Sequence, residues 1–310
     1  MRNAFAKCIT ELADKDPKVF LLMGDIGNRL FNDFIARHPE RFLNAGVAEA
    51  NMISMACGLA STGFKPVCYT IAPFVTARCY EQIRVDVGYH ESNVVMVGTG
   101  SGLSYASLGA THHGFDDMAI MRAIPGIDIF APCDANDVFG CLRAALASPR
   151  PAYIRIGKKG EPAVLPEIPD VEIGRMVVHR EGNDVCILNA GTTLSVCNSA
   201  AETLAADGIA TAVVRCTNVR PLDGEFLRNA FSRYRLILTV EEHSLCGGLG
   251  SAVAEFAVDE DLRHSAPLVR LGIPDEFIHQ IGSQDYVRQR CGIDADSIVR
   301  TVRERLARLA

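Results

Sequence analysis

A chain of 310 residues, 48% of them hydrophobic, is long enough for two domains, each with its own core. Its formal net charge of −6 gives no electrostatic grip on nucleic acid or on an anionic membrane. No apolar run approaches the roughly 18 residues that a bilayer span requires, and Met1–Phe5 lacks the apolar stretch of a signal peptide, so the chain is predicted to be cytoplasmic.

The first half alternates two periodicities. Ala4 to Leu12 reads as an amphipathic helix and Val19 to Met23 as a strand. A helix near Asn32 to Arg37 and a short strand at Phe42 to Ala45 follow. A long apolar helix starts near Glu49 and stops at Gly63. Val67 to Thr70 is a strand, Thr76 to Val87 a helix, and Val94 to Val97 a strand without polar alternation, as expected when both sheet faces are covered. Strands at Ile127 to Phe130 and Ala152 to Ile156 complete the set. This βα alternation predicts an α/β fold with a doubly wound, mostly parallel sheet.

From Gly160 to Gly174 the pattern breaks, with Pro162, Pro166 and Pro169 among acidic residues, and we read a linker there. The second half repeats the alternation on a smaller scale. Val185 to Leu188, Ala212 to Val214, Leu236 to Val240 and Val269 to Leu271 read as strands. Helices are predicted at Thr193 to Ala206, near Glu225 to Tyr234, from about Gly250, and at Ile298 to Leu309. The predicted division is 1–160, a linker at 161–175, and a smaller doubly wound domain at 176–310.

Cysteine count is odd, at 11, and no two form a Cys-x-x-Cys pair. Most sit in apolar stretches, so buried free thiols are expected rather than disulfides or a metal site. Gly98-Thr99-Gly100-Ser101-Gly102 follows a strand but lacks the Gly-x-Gly-x-x-Gly spacing of a dinucleotide loop. Gly247-Gly248-Leu249-Gly250-Ser251 opens a helix, where an anion can bind. Glu241 and Glu242 nearby would repel phosphate, so a tight strand-to-helix turn is the better reading. In Asn44-Ala45-Gly46-Val47-Ala48-Glu49, spacing alone makes Glu49 a helix-start acid that complements the dipole.

Those last residues carry a resemblance. Gly46-Val47-Ala48-Glu49 resembles the Gly-Ile-x-Glu signature of the pyrimidine-binding domain in thiamine diphosphate enzymes, which include transketolases, deoxyxylulose phosphate synthases and the beta subunits of 2-oxoacid dehydrogenases. Phe74 to Arg84 resembles the transketolase segment that forms an aromatic wall for the cofactor pyrimidine. Gly109-Ala110-Thr111-His112-His113-Gly114 is similar to the family's Gly-x-[Ser/Thr]-His-Gln segment, and Met121 to Gly126 follows at the family's spacing. Val219 to Asp223, Thr239 to Glu242 and Gly247-Gly248 resemble the transketolase C-terminal domain. The likeness runs in order along nearly the whole chain.

The resemblance implies a thiamine diphosphate-dependent transketolase that transfers a two-carbon ketol unit. The cofactor carries the carbanion chemistry, and the protein positions and tunes it. By resemblance, Glu49 hydrogen-bonds the pyrimidine ring nitrogen and promotes its imino form, as catalytic and cofactor-binding acid. Phe74 stacks on the pyrimidine, and Tyr80 packs. His112 matches the family's catalytic, substrate-facing histidine. His113 stands where the family more often has Gln and is expected beside the substrate. Arg155 and Lys158 fall where relatives carry a basic residue for a sugar phosphate, Lys158 being the closer match.

Two departures stand out. Transketolases usually have a His at the position of Gly100 and an acidic pair at Ser107 and Leu108, so an altered sugar pocket is expected. The family also binds the diphosphate and Mg²⁺ in a separate N-terminal domain, through a Gly-Asp-Gly segment followed by an Asn. Gly24-Asp25-Ile26-Gly27-Asn28 looks similar but lies ahead of Glu49 in the pyrimidine-type domain. The implied assembly is therefore an N-terminal partner subunit that holds diphosphate and metal, joined with this chain as an α₂β₂ heterotetramer. At this level two other readings stay open: a 2-oxoacid dehydrogenase or acyloin-forming beta subunit, and a non-catalytic scaffold paralogue.

Overall fold

The computed structural model describes residues 1–310 except 28, 159, 263, 264 and 310. Its strands, in chain order, are β1 (Val19–Met23), β2 (Phe42–Asn44), β3 (Lys65–Ile71), β4 (Val95–Thr99), β5 (Asp128–Phe130), β6 (Ala152–Ile156), β7 (Val177–Arg180), β8 (Val185–Ala190), β9 (Thr211–Arg215), β10 (Asn218–Arg220), β11 (Leu236–Ser244) and β12 (Leu268–Ile273). They form a seven-stranded sheet in the order β10-β5-β6-β4-β3-β1-β2 and a five-stranded sheet in the order β12-β11-β8-β9-β7. All neighbours pair in parallel except β10 with β5 and β7 with β9. These are two mixed, mostly parallel sheets with flanking helices, the α/β architecture that the alternation predicts.

Each sheet is covered on both faces, which is why β4 and β8 are buried at every residue. On one face of the larger sheet, helices Arg2–Lys15 and Ala135–Ala147 pack Phe5, Ile9 and Leu142 onto Val97 and Ile154. On the other, helix Glu49–Ser61 supplies Met52 and Ile53. That second core runs on without a break into the smaller sheet, through Cys186, Leu188 and Val214.

Several predicted elements change shape. The helix expected from Thr76 to Val87 is broken into Ala72–Val75, Ala77–Cys79, Tyr80–Gln82 and a π-helical stretch, Ile83–Tyr89. Thr76 disturbs it: its hydroxyl donates to the Ala72 carbonyl at 2.7 Å and its ψ falls to −77°. Helix Ala135–Ala147 was not anticipated, although its N-cap Asp134, which accepts from the Asp137 N–H at 2.9 Å, and its apolar Val138, Cys141, Leu142 and Ala145 carry the signal. The short β10 was also missed. It lies beyond the predicted linker yet adds an edge to the first sheet. Residues 160–176 form no helix or strand. They are strapped down by Asp134, which accepts from the N–H groups of Val164 and Leu165 at 2.8 and 2.7 Å.

Candidate functional site

Because β1, β2, β3, β4 and β6 run parallel, their carboxyl ends share one edge of the sheet. The loops beyond these ends carry Gly24, Glu49, Phe74, His112 and Lys158. In open parallel sheets this is the edge where ligands bind.

Glu49 is the first residue of its helix and only 3% exposed. Gly46, at φ +73°, makes the turn that brings the chain from β2 into that helix. The carboxylate sits at a helix N-terminus, which favours its charge, and accepts a hydrogen bond from Arg78 Nη1 at 2.9 Å. Gly24 lies alongside: a Cβ there would stand 3.4 Å from Glu49 Cγ. Burial pushes the neighbouring Cys79 thiol up to about 12, and the Glu49 charge adds to the effect.

The Arg78 guanidinium also lies over the Phe74 ring, with Cζ 4.2 Å from the centroid. A planar cation thus rests on the aromatic face while bonded to the buried acid. That is the shape and donor character that an aminopyrimidine would present to the same two groups, so this pair fits the pyrimidine end of the implied cofactor. Tyr80 packs against the core.

His112 joins them. Its ring is edge-on to Phe74 at 5.5 Å and to Tyr105 at 5.8 Å, and its Nδ1 is 2.9 Å from the Thr111 hydroxyl. Lys158 closes the line, with Nζ 4.8 Å above the Tyr105 ring. Glu49, Arg78, Phe74, His112, Tyr105 and Lys158 are therefore linked contact by contact.

Two expected members do not join. His113 turns inward, 1% exposed, with neither ring nitrogen hydrogen-bonded, and burial pulls its pKa down. In this arrangement it is buried rather than on the open side where His112 lies. Arg155 is 3% exposed. Its Nε donates to Asp117 at 2.9 Å, and its Nη2 donates to the carbonyls of Gly114 and Glu242 at 2.9 and 3.2 Å. These donors are spent on holding the interior, so Arg155 is a structural cation and Lys158 alone remains on the open side.

Around Arg155 lies a buried network. Asp117 also accepts from the Tyr153 hydroxyl at 2.7 Å and lies 3.8 Å from His243 Nε2. The His243 Nδ1 donates to the Ser244 carbonyl at 2.8 Å. Burial drives His243 down to about 4, with Asp117 opposing, so the ring is neutral. Glu241 fills the N-terminus of helix Leu249–Asp259, accepting from Leu249 and Gly250 N–H at 2.7 and 2.8 Å. The glycine run there is a turn with its own anion. Burial lifts Glu241 to about 7 against those two bonds.

The residues that sequence reasoning missed are Arg78, Tyr105 and Glu242. Arg78 was legible, since it stands four residues after Phe74. Glu242 accepts from the Leu103 N–H at 2.9 Å and is held by Gln284 at 2.9 Å and by Arg288. The smaller sheet thereby pins the loop between β4 and His112. Tyr105 explains a departure. Gly100 has φ +79°, and a Cβ there would come within 1.9 Å of the Tyr105 ring. A side chain at position 100 and this ring exclude each other.

Comparison with known proteins identifies the two domains. The family model for the transketolase pyrimidine-binding domain matches residues 1–161, and that for the transketolase C-terminal domain matches residues 174–298. One of the subunits of the apulose-4-phosphate transketolase of Actinobacillus succinogenes is 38% identical over 268 residues, covering 86% of this chain and 85% of its own. The 6-deoxy-6-sulfo-D-fructose transketolase subunit SqwH of Clostridium sp. (strain MSTE9) is 33% identical, covering 98% and 94%. A solved split-gene transketolase, described as an inactive beta4 tetramer, superposes with a TM-score of 0.88 at 32% identity, covering 98% of this chain and 96% of that one.

Proposed function

The chain belongs to the transketolase family, and from that premise we propose that it is the C-terminal subunit of a split enzyme that moves a two-carbon ketol unit between sugars. In this reading an N-terminal partner subunit completes each active site, and two copies of each chain assemble as a cytoplasmic α₂β₂ heterotetramer. The observation that carries it is the contact of Phe74 with both His112 and the Arg78 that holds Glu49. Cofactor-facing and substrate-facing groups converge on one edge. We divide the chain at 161–175, with the pyrimidine-binding unit at 1–160 before it and the C-terminal unit at 176–310 after it.

Thiamine diphosphate, when bound, supplies the nucleophilic carbon that makes and breaks the carbon–carbon bond. This chain's residues hold the pyrimidine end and face the substrate. Glu49 would take the pyrimidine nitrogen as partner in place of the Arg78 guanidinium it meets here, sharing a proton with it through the carboxyl group, and its burial excludes competing water. Phe74 orients the pyrimidine face. His112, within reach of the same ring, takes or returns a proton at the substrate oxygen through an imidazole nitrogen. Lys158 receives the anionic end of the sugar. Diphosphate and Mg²⁺ fall to the partner. Asp25, in the segment that superficially resembles a diphosphate motif, accepts from Asn44 at 3.0 Å, and its Asn28 lies outside the described residues.

We further propose a substrate other than an ordinary pentose phosphate. Tyr105 occupies the space over Gly100, and Leu108, 49% exposed, puts an apolar side chain where the resemblance to transketolases leads one to expect an acid. Two relatives are named for apulose 4-phosphate and for a sulfonated fructose, both sugars with an anionic end, which is the class that Lys158 suits. The test is co-expression with the product of the neighbouring gene, then a ketol-transfer assay over a sugar panel with and without thiamine diphosphate. Activity is expected only from the pair and only with cofactor. Tight binding of the complete coenzyme and metal by this chain alone would overturn the proposal.

A further inference from the structure

We propose that Tyr105 is a positioning residue, a rigid spacer that fixes the separation between His112 and Lys158 and so selects which anionic sugars fit. The proposal deepens the functional reading above and rests on it.

Three observations carry the inference. First, the ring stands between the two groups. Lys158 Nζ lies 4.8 Å over it, and the His112 ring meets it edge-on at 5.8 Å and 71°. Second, the ring has a seat. Gly100, with no Cβ and φ +79°, lets Tyr105 lie against the backbone at the end of β4, and the ring is only 8% exposed. Third, the backbone ties all three residues together. The Ser101 N–H donates to the Ile156 carbonyl at 3.0 Å, two residues before Lys158. Gly102 and Gly114 exchange N–H···O bonds of 2.8 and 3.1 Å, closing the loop just beyond His112. The Leu103 N–H is anchored on Glu242.

A spacer acts through shape. The Tyr105 hydroxyl has no hydrogen-bond partner among the described residues, so the ring and not the oxygen does the positioning. A substrate that engages both groups must place its reacting oxygen at His112 and its anionic end at Lys158. With the ring removed, Lys158 loses the face that holds it, and the distance between the two groups is no longer set. A sugar without an anionic end does not use Lys158 and is indifferent to the change.

The test uses the assembled pair with hydroxypyruvate as ketol donor, which carries no phosphate. The acceptors are D-glyceraldehyde 3-phosphate and D-glyceraldehyde. Tyr105→Ala and Tyr105→Leu are expected to raise KM for the phosphorylated acceptor by about tenfold or more while KM for glyceraldehyde moves less than about threefold. Tyr105→Phe keeps the wild-type ratio of kcat/KM values. Melting temperatures of the variants separate a loss of fold from a loss of selection, and the leucine variant serves if the alanine variant does not assemble. Lys158→Ala separates the two levels of inference. If Lys158→Ala lowers the ratio but neither Tyr105→Ala nor Tyr105→Leu does, the spacer is refuted and the site stands. If Lys158→Ala also leaves the ratio unchanged, or the pair does not consume hydroxypyruvate, the functional reading fails and the spacer with it.

Discussion

The Glu49 carboxylate accepts a hydrogen bond from Arg78 across 2.9 Å, an ion pair in which the acid is 3% exposed and the base 45% exposed. The buried anion is thus compensated from the side that faces solvent. Because Arg78 can hydrate, loss of the negative charge leaves no stranded cation. Glu49→Gln, which keeps the volume, should therefore leave the melting temperature within a few degrees of wild type. The same change removes the acid at the pyrimidine nitrogen, and turnover should fall by about 10²-fold or more. A ketol-transfer assay beside a thermal melt checks both halves, and wild-type-like turnover would refute the assignment of Glu49.

Phe74 offers its face to Arg78 at 4.2 Å and lies 5.5 Å from the His112 ring, centroid to centroid. An aromatic face contributes about 0.5–1.5 kcal/mol beyond simple burial. Phe74→Ala should accordingly weaken thiamine diphosphate binding to the assembled pair by up to about tenfold. Titration calorimetry of wild type against variant measures it.

His112 touches the same ring but has no bond to Glu49 in the structure. His112→Gln should leave cofactor affinity unchanged and lower the ketol-transfer rate by about 10²–10⁴-fold. Equal losses of binding and rate would move His112 from the substrate side to the cofactor side.

Gly102 sits at φ +58°, and a Cβ there would stand 2.5 Å from Glu242 Cβ. The space is closed by the residue that anchors the loop, so Gly102→Ala adds both backbone strain and a clash. We expect a loss of about 1–3 kcal/mol, read as a lower urea midpoint. Activity should fall further than stability, because Tyr105 and His112 ride on the same loop.

His243 refuses a proton in the folded chain, held down to about 4, whereas the unfolded chain binds one near pH 6.5. A depressed histidine contributes stability that is complete above the unfolded value and is lost as pH falls from about 6.5 toward 4, with a slope approaching about 1.4 kcal/mol per pH unit. Glu241, raised to about 7, has the opposite sign: its contribution is complete below the ordinary glutamate value and is lost as pH rises toward 7. Comparing wild type with His243→Gln isolates the histidine. Urea midpoints should fall less steeply below pH 6.5 in the variant, and parallel curves would argue that Asp117, 3.8 Å away, keeps the imidazole charged.

All 11 cysteines are free thiols, and Cys246 is the one that is exposed. Burial raises Cys8, Cys186 and Cys197 to about 12. One equivalent of a thiol reagent should react fast with the native chain, the half-buried Cys57 and Cys291 more slowly, and the eight buried thiols only on unfolding. Cys246→Ser should abolish the fast phase.

Much of this protein could be read along the chain. Strand and helix order follows from apolar period, and β1, β6 and helix Asn32–Arg37 begin and end where the pattern says. Glu49, Phe74 and His112 could be proposed from the sequence because each lies in a segment whose neighbours carry the signal, and the fold brings the three to one edge. Gly100, Ser107 and Leu108 could be read as departures from the family pattern by the same route, and the altered sugar pocket they imply remains the proposal made above. Tertiary structure decided what no local pattern encodes: which partner each polar group takes. Arg155 and Lys158 are three residues apart on one strand end, yet one is spent on Asp117 and the other lies over Tyr105. Glu242 finds Leu103 across 139 residues, and β10 returns to the first sheet. Residue type and spacing set the chemistry that a side chain can offer, whereas burial and pairing, which join distant parts of the chain, determine whether that chemistry faces inward or is left free for a ligand.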